Sequence, residues 1–243
     1  MLVDTFNRYF EPENARAAER VLARAGYRVV TADPASRRPL CCGRTFLSAG
    51  LVDEARHEAK RMLDALAPHV AAGTPIVGLE PSCLLTLRDE FPAILPGTAT
   101  NALAERARLF EEFVDSERSA GRLGLALAPM PGRTALLHGH CHQKAFDTVG
   151  AAVTALRLIP GLTVETFDST CCGMAGSFGY EAEHYEMSLK IGELDVLPKM
   201  RSAPTDTLLV ACGTSCRHQI ADAVGREARH LVRILDDASA SGA

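Results

Sequence analysis

The sequence predicts an α/β fold built from two pseudo-repeated halves with parallel sheets. Three observations carry that expectation. Strand-like and helix-like segments alternate along the chain, and Cys-Cys-Gly occurs once in each half at nearly the same place. Aromatic residues make up only 5% of the chain and Trp is absent, so Leu, Val, Ala and Ile from helices and buried strands must fill the core. The 243 residues suit one large domain or two of about 100–150 residues each.

The chain opens on the apolar pair Leu2-Val3. Glu11-Pro12-Glu13-Asn14 then leads a helix with Ala18, Val21, Leu22 and Ala25 on one face, and Gly26 ends it. Residues 27–31 are rich in β-branched side chains and read as a strand, after which Pro39-Leu40 runs into Cys41-Cys42-Gly43. A long helix is expected over 51–72, with Leu51, Ala55, Met62, Leu63 and Leu66 on its apolar face and Gly73 at its stop. Residues 75–79 form the third strand, leading straight into Glu80-Pro81-Ser82-Cys83. Another helix is expected over 101–119, and the Gly/Pro-punctuated stretch after it marks the boundary between halves.

The second half repeats the order. A strand at 134–137 precedes Cys141, a helix carries Ala151, Val153, Leu156 and Leu158, and a strand at 163–167 runs into Cys171-Cys172-Gly173. A helix over 181–200 and a strand at 207–211 follow, the latter ending at Cys212 and Cys216. Cys42 and Cys172 are 130 residues apart and Cys83 and Cys216 are 133 apart, which points to a duplication. The halves are therefore placed at 1–120 and 134–243, with a linker at 121–133. Right-handed crossovers make each half Rossmann-like and put every cysteine-bearing loop at the carboxyl edge of its strands.

Charge excludes some functions. The 26 basic and 30 acidic residues are interspersed, giving a net charge of −4 and no basic face for nucleic acid. No apolar run reaches the roughly 18 residues that would span a bilayer, and the start lacks a basic n-region and an apolar h-region. A soluble, cytoplasmic protein is expected. Eight cysteines in such a compartment point to metal or redox chemistry rather than disulfides.

Adjacent thiols are a poor way to fill a core, but neighbouring side chains can grip one polynuclear centre, and the glycine after them lets backbone approach it. Cys141, Cys171, Cys172 and Cys216 converge from three strand ends, with Cys212 four residues before the last. Soft thiolates in that number select an iron–sulfur cluster, zinc or Cu(I). Gly173 and Gly176 offer amide N–H groups to sulfur, and Arg217, directly after Cys216, offers positive charge; Arg44 and Lys144 also lie beside cysteines. His138, His140 and His142 alternate, so a continuing strand would point them one way and Cys141 the other; they either ligate or donate hydrogen bonds near the thiolates. The first half has only Cys41, Cys42 and Cys83. Glu80 completes a zinc or iron site there or else caps a helix.

The segments DTFNRYFEPENARAAERVLARAGYRVV, RPLCCGR, GLEPSC, HGHCHQKA, CCGMAGSFGYE and GTSCRHQI resemble the cysteine-rich CCG-domain family over nearly the whole chain. That family occurs in the cysteine-rich component of heterodisulfide reductase, in glycolate oxidase iron–sulfur subunits and at the carboxyl end of large FAD-linked dehydrogenases, to which the resemblance is closest. It implies [4Fe-4S] clusters, noncubane in the heterodisulfide reductase branch, each held by a single Cys, a Cys-Cys pair and a Cys-x-x-Cys. Cys141, Cys171, Cys172 and Cys216 match in the second half, with Gly213 at the first place of the Cys-x-x-Cys and Cys212 one residue out of register. In the first half Cys41, Cys42 and Cys83 match, leaving zinc or a second cluster as alternatives. No flavin domain or ferredoxin-type cysteine run is present in the sequence. The resemblance therefore implies a flavoprotein dehydrogenase and a ferredoxin-like subunit or domain as partners, in a 2-hydroxy-acid system such as glycolate or D-lactate oxidation. A zinc-stabilised interaction module, and thiol/disulfide redox at Cys212 and Cys216, are the other readings.

Overall fold

The computed structural model describes residues 1–32 and 38–240. In the first half, α1 (Thr5–Tyr9) is capped by Asp4, whose carboxylate accepts from the Phe6 and Asn7 amides. Helix α2 (Pro12–Arg24) starts on proline and buries Ala18, Val21 and Leu22. After α3 (Arg44–Ser48), α4 (Val52–Ala71) covers almost the expected span and buries Ala55, Met62 and Leu66. Strand β1 (Ile76–Gly78) leads into α5 (Pro81–Thr86), then α6 (Glu90–Ile94) and α7 (Thr98–Arg106).

Two expectations change here. Residues 27–31 form no strand: the Met1 amine binds the Val30 carbonyl, but the two segments overlap too briefly for a ladder. The single helix expected over 101–119 is cut by β2 (Ala107–Leu109), and α8 (Phe110–Ser119) resumes after it. Ala107 and Leu109 are fully buried with Arg108 between them, so this triplet follows the strand period and pairs in parallel with β1, Ile76 opposite Ala107.

The second half runs β3 (Thr134–His138), α9 (Cys141–Ala145), α10 (Val149–Arg157) and β4 (Thr163–Thr166). It continues with α11 (Tyr185–Gly192), α12 (Val196–Ser202), β5 (Leu208–Ala211), α13 (Thr214–Val224), β6 (Ala228–Arg229) and α14 (Leu231–Ala240). The strands form one parallel sheet in the order β4-β3-β5-β6. The helix expected over 181–200 is split into α11 and α12, because Asp195 turns out of the helical path to accept the Thr170 amide at 2.9 Å.

The halves share a core. Val77, Leu79 and Phe110 from the first pack with Ala135, Leu137 and Val210 from the second, flanked by α2 and α14. Each Val, Leu or Phe side chain buried there contributes about 1.5–3 kcal/mol. Leu123, Leu125, Leu127 and Met130, in the stretch expected as a linker, lie half-buried against this core. Among the described residues no helix is long and apolar enough to cross a membrane.

His230 ties the halves by hydrogen bonds: its Nε2 donates to the Leu79 carbonyl at 3.2 Å and its Nδ1 accepts from the Val232 amide at 3.1 Å. Acceptance at Nδ1 requires a neutral ring, and burial, aided by the Arg217 charge, pushes the His230 pKa down to about 3. The unfolded chain takes up this proton near pH 6.5 and the folded one does not. Stability from this group is therefore complete above about pH 6.5 and falls as pH drops toward 3, by about 1.4 kcal/mol per pH unit. Urea unfolding between about pH 6 and 4 should show this loss, with a shallower slope in His230→Gln; an unchanged slope would remove His230 as its source.

Candidate metal centre

Strand β5 decides which thiols can meet. Its side chains alternate, so Leu209 and Ala211 face an apolar cluster with Leu136, Cys172 and Cys216, while Val210 and Cys212 face the shared core. Cys216 sits in the first turn of α13, and Cys171-Cys172 enters from the loop after β4. The Cys172 thiol lies beside both Cys171 and Cys216, close enough for each to shift its titration. A ring nitrogen of His138 and the sulfurs of Cys172 and Cys216 all lie within 4.8 Å of one another. The Gly173 amide donates to Cys171 Sγ at 3.3 Å.

Cys141 opens α9 and is exposed, with Nδ1 of His140 and of His142 each 3.9 Å from its sulfur. The expected alternation does not apply, because β3 ends at His138 and a helix begins at Cys141, bringing Cys141 and its two histidine neighbours together. His140 is the cap of α9: its Nδ1 accepts the His142 amide at 3.1 Å. Cys141 lies near enough to Cys171 for the two thiolates to repel.

The first half repeats this geometry. Cys42 contacts Cys41 and Cys83, and the Gly43 amide donates to Cys41 Sγ at 3.4 Å. Cys83 and Cys216 hold the third position of α5 and α13, and Thr5 and Cys141 the first position of α1 and α9. Thr5 lies beside Cys41 and lowers its pKa slightly. Leu2 donates its amide to the Val77 carbonyl at 2.7 Å, which sets it opposite Gly78 as His138 is set opposite Ala211.

The thiols raise one another's pKa. The Cys42 contact and then burial push Cys41 up, and the Cys172 contact and then burial do the same to Cys171. Cys83 is pulled down by its bond with Cys42 but driven up more by burial and the Asp4 and Glu80 carboxylates, to about 11. Burial and Cys171 raise Cys141. Free thiols packed against one another, none in a disulfide, form a soft donor set whose accumulated charge on deprotonation a metal centre would balance. The donors fit such a group.

Two stretches, residues 5–88 and 135–221, match the cysteine-rich CCG domain. The chain belongs to the CCG family. It is 28% identical over 201 residues to one subunit of the anaerobic glycerol-3-phosphate dehydrogenase of Escherichia coli (strain K12), covering 82% of this chain and 50% of that protein. It is 30% identical over 234 residues to D-2-hydroxyglutarate dehydrogenase of the same organism, covering 96% of this chain and 22% of that one. Lactate utilization protein A 1 of Bacillus cereus (strain AH820) is 27% identical over 177 residues, covering 70% of this chain and 69% of the relative. The chain thus spans about half the length of the first relative and about a fifth of the second.

Within the two CCG repeats, several expected site residues have other roles. Cys212 turns away from Cys216 by strand alternation, is 0% exposed, and neighbours Glu111 and Gln143, so it joins neither a fifth ligand position nor a thiol pair. Arg217 does not reach sulfur: its five N–H donors bind Glu11, the Ala211 and Cys212 carbonyls and Thr214 Oγ1. Glu80 is a cap. Its Oε1 accepts from Ser82 and its Oε2 from the Thr214 amide at 2.8 Å, joining α5 to α13. Gly176 has a left-handed φ of 72° but no neighbour within 4 Å of an added Cβ. His138 is the residue that the chain pattern undersells; its signal is strand phase, since Leu136 and His138 share a face of β3.

Gly173 combines φ +97° with a Cβ position only 2.0 Å from the Ser188 carbonyl oxygen. Backbone meets backbone there, so Gly173→Ala should cost about 3 kcal/mol or more. Gly43→Ala should cost less, because its nearest contact is 3.1 Å. Urea denaturation of the pair checks the order; equal losses would contradict it.

Proposed function

We propose that the chain is an iron–sulfur electron-transfer module of a flavin-linked dehydrogenase system acting on 2-hydroxy acids or similar alcohols, such as glycolate or D-lactate. The observation that carries this reading is the position of Cys172 between Cys171 and Cys216, three thiols drawn from two separate strand-end loops. The relatives named for glycerol-3-phosphate, D-2-hydroxyglutarate and lactate support the substrate class.

A bound [4Fe-4S] cluster would supply one-electron redox chemistry at this centre. Cys171, Cys172 and Cys216 would hold it, with Cys141 beside Cys171 as the fourth thiol. The Gly173 N–H lowers the charge felt at Cys171 Sγ, and the apolar cluster around Cys172 and Cys216 excludes water. Arg217 acts one step removed, by fixing the start of α13 on which Cys216 stands. Cys41, Cys42 and Cys83 would hold zinc or a second cluster in the first half, with Thr5 where the second half has Cys141. The electron donor is a flavoprotein dehydrogenase with a ferredoxin-like subunit or domain, in the cytoplasm, where thiols stay reduced.

Anaerobic purification followed by iron, sulfide and visible-absorbance measurements tests the reading. Iron and acid-labile sulfide in equal amounts, with a brown colour bleached by reductant, are expected. Zinc without sulfide, or metal-free colourless protein, would overturn it.

A further inference from the structure

Comparison of the two halves isolates His138. Leu2 and His138 occupy the same place, each beside the strand that leads to the third-position cysteine and two positions before a helix cap. Leu2, 2% exposed, packs with Cys42 and Cys83, showing that an apolar side chain satisfies this position when packing alone is at stake. The second half puts an imidazole there instead, 1% exposed, beside Cys172 and Cys216. A buried polar ring is costly unless both nitrogens are used. Nδ1 has Ser169 Oγ at 3.1 Å, and that hydroxyl is itself held by Lys144 Nζ at 2.9 Å. Nε2 has no hydrogen-bond partner of its own among the described residues.

We propose that His138 is a nitrogen ligand of the metal centre held by Cys171, Cys172 and Cys216, so that the two CCG halves hold chemically different centres. The inference rests on the metal-binding reading above. The Ser169 contact to Nδ1 is the outer hydrogen bond that ligating histidines characteristically make, orienting the ring and assigning the proton to the nitrogen away from the metal. Lys144 fixes Ser169 further by donating to the Ser169 and Thr170 carbonyls. A neutral imidazole there gives the centre a ligand without adding negative charge, where a thiolate would lower the reduction potential of an iron–sulfur centre.

The test is pulsed electron paramagnetic resonance of the anaerobically purified full chain, reduced with dithionite. Wild type should show a nitrogen hyperfine coupling that changes isotope when the protein is grown on [15N]histidine. That coupling should vanish in His138→Ala and persist in His142→Ala. The labelled wild type gives the answer even where His138→Ala fails to fold. Iron and sulfide present with no histidine-derived coupling would overturn the assignment of His138 and leave the electron-transfer reading standing. Protein lacking iron and sulfide would overturn both. A coupling lost in His142→Ala but kept in His138→Ala would move the ligand to the Cys141 side and refute this proposal.

Discussion

Cys172→Ser should cut total iron and sulfide by at least about half, and by about tenfold or more at the second-half centre. Cys172 is the middle thiol of three, touching Cys171 on one side and Cys216 on the other, so its loss separates the remaining two. A serine hydroxyl keeps the size but is a hard, neutral donor that does not replace a soft thiolate. The matched control is Cys212→Ser, the same one-atom exchange at a residue that is 0% exposed and only four positions from Cys216. Its side chain faces the shared core, so iron and sulfide should stay at the wild-type level. Anaerobic metal and sulfide assays read both variants. Full iron in Cys172→Ser would remove that residue from the centre, and depleted iron in Cys212→Ser would restore the fifth thiol that the structure turns away.

That contrast also shows what a linear pattern conveys. Cys171, Cys172 and Cys216 are legible because each lies just past a strand-like segment, and parallel α/β connectivity brings all such points to one edge. Cys212 misleads for the same reason: it too ends a strand, and only the two-residue period along β5, anchored by which neighbours are buried, sends it to the opposite face. The long α4 is plain from its apolar spacing. Strand β2 is hidden, since three residues between two helices carry too little periodicity to stand out, and what makes them a strand is the pairing of Ala107 with Ile76. Glu80 and Arg217 resemble site residues through their proximity in sequence to cysteines. Their partners, Thr214 and Glu11, lie in the other half of the chain, 134 and 206 residues away, where no local pattern can point.

The Glu11–Arg217 pair should be the most costly single interaction to break across the two halves. Arg217 is 3% exposed and Glu11 24%, so the partners are not equivalent. Glu11→Leu leaves a buried guanidinium with no directly bonded counter-ion and should destabilise the fold by about 3–5 kcal/mol. Arg217→Met leaves a carboxylate that can turn toward water, together with the Ala211 and Cys212 carbonyls without their donor, and should cost less, about 2–3 kcal/mol. The double variant should lose less than the two single losses combined, because neither charge remains to be stranded. Burial raises the Glu11 pKa, but the Arg217 bond and charge outweigh it and hold the carboxyl below its ordinary value of 4.5. The pair's contribution is therefore present above about pH 4.5 and lost as pH falls through the depressed folded value. Urea titrations of all four proteins at neutral pH decide the matter: equal losses in the two single variants, or strict additivity in the double, would mean that the bridge is hydrated and does not hold α13, with Cys216 on it, against the first half.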